Sequence, residues 1–298
     1  MSTPARSGAT PGRRLRRAVE EEHPLQIVGV PNAYCALLAA RAGFRAIYLS
    51  GAGVANAAFG RPDLGLTTRN EVVEEARRIA AVSPLPLLVD VDTGWGEEIG
   101  ECVRDLERAG AAGLHVEDQV DAKRCGHRPG KRLVSAGEMQ GRLAAALAAR
   151  RDPDFVVMAR TDACGVEGLE AAIDRARAYV DTGADMIFAE SLSSLEDYRR
   201  FAGAVDVPVL ANLTEFGCTP LFEVSEIAPT GVCMLLYPLS AFRAMSRTAE
   251  GIYAAIRYEG SQRAWLGRMQ TREELYGVLD YHAAERAQDA CGAGESDD

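Results

Sequence analysis

No apolar run in the 298-residue chain approaches the ~20 residues that a membrane-crossing helix needs. Nothing at the N-terminus reads as the apolar core of a secretory signal. Basic residues are in deficit: Lys and Arg total 33 against 43 Asp and Glu, a formal charge of −10. That balance argues against nucleic acid as a partner, because a phosphate backbone needs a basic face. Paired cysteines are missing too. The seven (Cys35, Cys102, Cys125, Cys164, Cys218, Cys233 and Cys291) are odd in number and never stand in C-x-x-C spacing. Neither a zinc site nor a disulfide framework is expected from them. They fit a reducing, cytoplasmic setting, most acting as small buried hydrophobes. What remains is an ordinary globular composition, 47% hydrophobic and 26% charged. The length suits two domains or one large α/β barrel.

Residues 1–19 lack acids and carry Arg6, Arg13, Arg14, Arg16 and Arg17. Pro4, Gly8, Pro11 and Gly12 would break a transit-peptide helix there, so residues 1–12 are read as a disordered tail leading into a first helix. Further on, one pattern recurs. A helical stretch closes on Gly43, Gly110 or Gly183 and a short apolar strand follows. Thr68–Glu71, Ser135–Glu138 and Ser193–Glu196 have capping-box spacing and mark helix starts. Strands are expected near residues 26–30, 46–50, 86–91, 113–117, 155–160, 186–190, 208–212 and 232–236, mostly continuous apolar runs of the kind covered on both faces. Eight βα units predict an α/β fold, a (β/α)8 TIM-type barrel over residues 13–290 with a C-terminal helical extension, and a disordered tail at 291–298. A dinucleotide-binding sheet is disfavoured: after Gly51 and Gly53, Asn56 stands where the third glycine of G-x-G-x-x-G belongs.

Polar residues gather at the C-terminal ends of these strands, the rim where barrel active sites sit. Residues i and i+2 of a strand share a side, which pairs Tyr48 with Ser50, Asp90 with Asp92, His115 with Glu117, Arg160 with Asp162, and Asn212 with Thr214; Glu190 ends the sixth strand. Asp90 and Asp92, with Glu117 behind them, suit Mg2+ or Mn2+, hard ions that take one or two carboxylates and keep water. The alternative is a salt-bridged cluster around Arg160 or Lys123. After the fourth strand comes Lys123-Arg124-Cys125-Gly126-His127, then Pro129 and Gly130, a loop able to close. Flanking cations are expected to lower the Cys125 pKa and suit it to acid/base work. A cation site ringed by basic side chains favours a di- or tricarboxylate substrate.

The segments YLSGAGVA, PDLG, LLVDVDTGWG, GLHVEDQ, KRCGHRPGK, DPDFVVMARTDA, ANLTEFGCTPLF, LYPLSAFRAM and MQTREELY resemble the isocitrate lyase/phosphoenolpyruvate mutase superfamily over roughly residues 13–285, and its methylisocitrate branch in particular. The resemblance implies a barrel that assembles as a homotetramer with C-terminal helices exchanged between subunits. It implies Mg2+-dependent cleavage of 2-methylisocitrate to pyruvate and succinate, a step of propionate catabolism in the methylcitrate cycle. It places metal at Asp90 and Asp92 with Glu117 behind, and the catalytic cysteine at Cys125. Substrate contacts fall at Ser50, Gly51, Ala52, Gly126, Arg160, Glu190, Asn212, Leu213, Thr214, Arg243 and Arg272. Tyr48, Asp63, Lys123 and His127 line the same site. The chain departs from the usual pattern at Ala52, at Ala189-Glu190-Ser191, and in a helix after Gly96 that is about one turn short. Sister reactions of that superfamily are the alternatives: 2,3-dimethylmalate or isocitrate cleavage, oxaloacetate hydrolysis and phosphonopyruvate chemistry.

Overall fold

The computed structural model describes residues 8–292. Eight strands, β1 (Leu25–Gly29), β2 (Ala46–Leu49), β3 (Leu87–Asp90), β4 (Gly113–Glu117), β5 (Val156–Thr161), β6 (Met186–Ala189), β7 (Val209–Asn212) and β8 (Met234–Tyr237), pair in parallel and in chain order into a closed barrel. Each falls within two residues of its expected place. Alternation sorts the side chains. Leu25, Ile27, Leu88, Val156, Met158 and Phe188 fill the interior, while Ile47, Leu87, Val89, Val157 and Ile187 pack outward against the helices. Both faces of every strand are thus apolar, as the continuous runs required.

The first helix, Pro11–Glu21, closes the N-terminal end of the barrel. Thr10 caps it by accepting from the Arg13 amide, and Pro11 occupies the first turn. Proline suits that position because the missing N–H had no partner there. Leu15, Ala18 and Val19 join the interior cluster. Gly12 packs so close that a Cβ would lie 2.3 Å from the Asp154 carbonyl oxygen. Residues 11 and 12 therefore belong to the fold, which corrects the expected tail: Pro11 starts the helix it was expected to break. Residues 1–7 lie outside the described residues.

Two of the three expected caps stand as read, Thr68 over helix Arg69–Val82 and Ser135 over helix Ala136–Ala149. The third shifts by one residue. Ser194 accepts from Asp197 N and caps helix Leu195–Ala202, since aspartate fills the third helical position as well as glutamate would. Gly110 and Gly183 end their helices at φ +90° and +111°, a left-handed region that favours glycine.

Contacts divide the chain into two compact units, Ala9–Phe242 and a C-terminal unit from Arg243 that also includes Gly8 among the described residues. In the second, Gly251 lies against the Trp265 ring and Tyr276 stacks on Tyr281. Its last helix, Tyr281–Gly292, runs through residues 291 and 292, which were expected to start the tail; 293–298 lie outside the described residues. Among the described residues no helix is long and apolar enough to cross a membrane.

Candidate active site

The strand ends of the barrel unit converge on one cavity. Tyr48, Ser50, Ala52, Asp63, Asp90, Lys123, Cys125, Gly126, His127, Arg160, Glu190, Asn212 and Thr214 line it. Asp90 is its best-fixed acid. Oδ1 accepts from the Asp92 amide at 3.0 Å, and Oδ2 accepts from Gly51 N at 3.0 Å and Tyr48 OH at 3.2 Å. Burial pushes this carboxyl up, but the attraction of His115, Lys123 and Arg160 outweighs it and leaves the pKa at about 2.

Asp92 reaches the same place by a route other than the expected one. β3 ends at Asp90, and Asp92 sits beyond it at φ +49°. The two carboxyls meet because the Asp92 amide turns back onto Asp90, not because they alternate along a strand. Burial and repulsion from Asp90 and Asp63 raise Asp92 to about 6, against the pull of Lys123. The Lys123 ammonium lies 2.6 Å from Asp92 Oδ1 and 2.5 Å from Asp63 Oδ1. Arg160 stands among three acids: Asp162 (2.9 Å), Glu117 (3.4 Å) and Glu190 (3.5 Å). The salt-bridged arrangement weighed from the sequence is therefore present alongside the aspartate pair.

The donor set fits a hard divalent cation. Asp92 Oδ1 is buried and faces only the Lys123 ammonium, and Glu117 Oε1 is buried with no hydrogen-bond partner among the described residues. A Cβ on Gly51 would come within 2.9 Å of Asp92 Oδ1 and 3.2 Å of Asp90 Oδ2, so the glycine keeps that space open. No group of three or more His, Cys, Asp or Glu side chains stands in ligating geometry among the described residues. A cation here would take one or two carboxylates and complete its shell with water or substrate oxygens, the habit of Mg2+.

On the opposite wall, Cys218 N donates to His127 Nδ1 at 3.0 Å, so the ring proton resides on Nε2, 2.7 Å from Glu190 Oε1. Asn212 Nδ2 also donates to Glu190, at 3.2 Å. Burial raises Glu190, but Arg160 and the His127 hydrogen bond hold it well below the usual carboxylate range. Cys125 departs from expectation. Partial desolvation, with Asp63 and Glu190 nearby, raises its pKa although the residue keeps exposed surface. The polar neighbours expected to help it are engaged elsewhere: Lys123 with Asp92 and Asp63, and His127 with Glu190. The thiol is a protonated donor rather than a ready thiolate.

Not every expected residue lines the cavity. Leu213 packs in the outer core, and its amide is taken by the Leu236 carbonyl. Arg243 and Arg272 belong to the C-terminal unit, in helices Ser240–Ala254 and Arg272–Leu279. Residues not foreseen include Phe188, Leu236, Pro238 and Leu239, which give the cavity an apolar side. His115 sits beneath, stacked on Tyr48 and 2.8 Å from its hydroxyl; burial lowers its pKa to about 4, so it is neutral at pH 7.

A family model described as phosphoenolpyruvate phosphomutase matches residues 15–257. A 2-methylisocitrate lyase of Salmonella typhimurium is 56% identical over 284 residues, covering 94% of this chain and 96% of its own. Among solved structures, a 2,3-dimethylmalate lyase, described as a PEP mutase/isocitrate lyase superfamily member, superposes with a TM-score of 0.88 at 32% identity, covering 98% of each chain. A phosphonopyruvate hydrolase solved with oxalate and Mg2+ gives a TM-score of 0.83 at 28% identity over 94% of this chain and 99% of that one. The chain belongs to the phosphoenolpyruvate phosphomutase family, within the PEP mutase/isocitrate lyase superfamily.

Proposed function

We propose that this protein is a Mg2+-dependent carbon–carbon lyase that cleaves 2-methylisocitrate to pyruvate and succinate, a step in propionate breakdown. One observation carries the reading: the Asp90–Asp92 pair and the Cys125 loop share one rim of the barrel, joined by Lys123 at 2.6 Å from Asp92. The relatives named 2-methylisocitrate lyase support the choice of substrate.

Asp90 and Asp92 would hold the cation, which supplies Lewis-acid stabilisation at the hydroxyl–carboxylate end of the substrate. Ser50, Gly51 and Ala52 flank that end. Burial and the neighbouring Asp90 keep the Tyr48 phenol well above its ordinary pKa, so it donates a hydrogen bond rather than acting as a free base. Removal of the hydroxyl proton then falls to a site carboxylate. When the carbon–carbon bond breaks, negative charge collects on the succinate half. Arg160, His127 Nε2–H and the Asn212 and Thr214 side chains face the cavity from the other wall and stabilise it. The protonated Cys125 donates the proton that completes succinate. Further closure of its loop, which leaves Cys125 partly exposed here, would exclude water while the carbanion exists. Arg243 and Arg272 are proposed as further carboxylate contacts.

The C-terminal unit exposes Tyr253, Tyr258 and Leu266, by 71%, 86% and 59%. Exposed apolar side chains of this size mark a contact surface. We take that surface to be covered by exchange of these helices in a cytoplasmic homotetramer; light scattering should return four chain masses.

The reading is tested by assaying purified protein and Mg2+ with 2-methylisocitrate, isocitrate, 2,3-dimethylmalate, oxaloacetate and phosphonopyruvate. The highest kcat/KM is expected for 2-methylisocitrate. A clear preference for another substrate reassigns the enzyme within its superfamily, and no turnover of any of them removes the lyase reading.

A further inference from the structure

Besides the side-chain anchors at Lys123 and His127, the Cys125 loop is fastened to the barrel through its backbone at the carbonyl oxygen of Gly126. Lys131 Nζ donates to it from the far end of the loop, and Ser191 Oγ donates to it from beyond β6 at 2.8 Å. Lys131 is held in turn by Asp162 Oδ1 at 2.9 Å, and the same carboxylate grips Arg160 through Nε at 2.9 Å and a terminal nitrogen at 3.2 Å. Asp162 is fully buried and Lys131 nearly so. Neither they nor Ser191 line the cavity, so they are not placed to touch substrate.

Two features set this arrangement apart from ordinary packing. A buried ammonium–carboxylate pair is a poor source of stability compared with apolar side chains of the same volume. Ser191 adopts φ +62°, a left-handed conformation with a steric penalty for any residue bearing a Cβ, and in it the hydroxyl meets the Gly126 carbonyl. In a planar trans peptide, C=O and N–H point in opposite directions. Fixing the Gly126 carbonyl therefore also fixes the next amide, that of His127, on the side of the peptide turned away from Lys131 and Ser191, between Cys125 and His127. Gly126 has no freedom to settle otherwise: a Cβ there would lie 2.5 Å from the Arg160 guanidinium and 2.7 Å from the Glu190 side chain.

We propose that Lys131, Asp162 and Ser191 are positioning residues that clasp the Gly126 carbonyl and, through that peptide, seat Cys125 and His127 over the cavity. The catalytic meaning of the clasp rests on the lyase reading above; its geometry does not.

Trypsin tests the clasp without any substrate. Arg124, followed by Cys125, is exposed on the loop, and cleavage there requires the segment to leave the barrel; Arg128 precedes Pro129 and is not a trypsin site. Ser191→Ala removes a neutral donor, so nicking at Arg124 should quicken about 2- to 10-fold, with cleavage at the exposed Arg151 unchanged as the internal reference. Ser191→Gly, which also relieves the positive φ, should nick as fast as Ser191→Ala. Lys131→Met removes a charged donor and should quicken nicking about 10-fold or more, while Lys131→Arg keeps the cation and restores protection. With 2-methylisocitrate, kcat should fall in Ser191→Ala by more than KM rises. Wild-type nicking rates in Ser191→Ala and in a folded Lys131→Met overturn the proposal; should Lys131→Met not fold, Ser191→Ala decides alone. Intact wild-type protection in a protein that turns over none of the five substrates would overturn the lyase reading and leave the clasp standing.

Discussion

His127 and Glu190 meet head-on: Nε2 of one lies 2.7 Å from Oε1 of the other, and the Cys218 amide on Nδ1 fixes which nitrogen carries the proton. Glu190 is fully buried and also faces Arg160 and Asn212. Glu190→Ala would leave a buried guanidinium and an imidazole short of a partner. Breaking a buried pair in this way costs about 3–5 kcal/mol. The urea midpoint should drop accordingly, and Glu190→Gln, which keeps the shape and one acceptor, should drop less.

Cys125→Ser keeps the volume but replaces the thiol with a far weaker acid. A positioned acid contributes roughly 10²- to 10⁴-fold, so turnover of 2-methylisocitrate should fall by at least the lower figure. Succinate binding and thermal stability should be preserved. Near-normal turnover in the variant removes Cys125 from the chemistry.

Cation binding should depend on pH through Asp92. Its folded-state pKa is raised to about 6, so in the metal-free protein its contribution to stability is greatest at low pH and is lost as pH rises through that value. A divalent cation must displace the proton. Calorimetric Mg2+ affinity should therefore climb with pH through that region, by up to about tenfold per unit below it, then level off. Asp92→Asn should flatten the profile, weaken binding and let less EDTA abolish any remaining activity. A pH-independent affinity in the wild-type protein would count against Asp92 as the ligand.

Gly126→Ala tests how tightly the loop is seated. The added methyl would meet the Arg160 guanidinium at 2.5 Å, so either the loop lifts or the arginine moves. Misplacement of about 1 Å can cost on the order of 10²-fold in rate. A loss of that size in kcat is expected, with little change in the thermal midpoint. An unchanged kcat would show that the peptide need not lie where it does.

Much of this was legible in the sequence because the relevant geometry is local. Continuous apolar runs gave the strands, and polar residues at their C-terminal ends gave the rim. Reading failed where contact between distant segments decides. Cys125 looked acidic beside Lys123 and His127, yet those side chains turn to Asp63, sixty residues upstream of Lys123, and to Glu190, just past the sixth strand. Asp92 does lie beside Asp90, but not by the expected route, since strand alternation stops at Asp90 and a left-handed turn brings the two together. The third helix cap slipped by one because Ser193 and Ser194 both have an acid three residues on, and only packing chooses between them. Lys131 and Ser191 carry no local signal: their role appears only when two loops meet over Gly126.

The helix that places Leu15, Ala18 and Val19 among the interior side chains also governs traffic. With that end stoppered, the cavity of the described residues opens at the other rim, beside the Cys125 segment. On the lyase reading, substrate would enter and both products would leave past that segment.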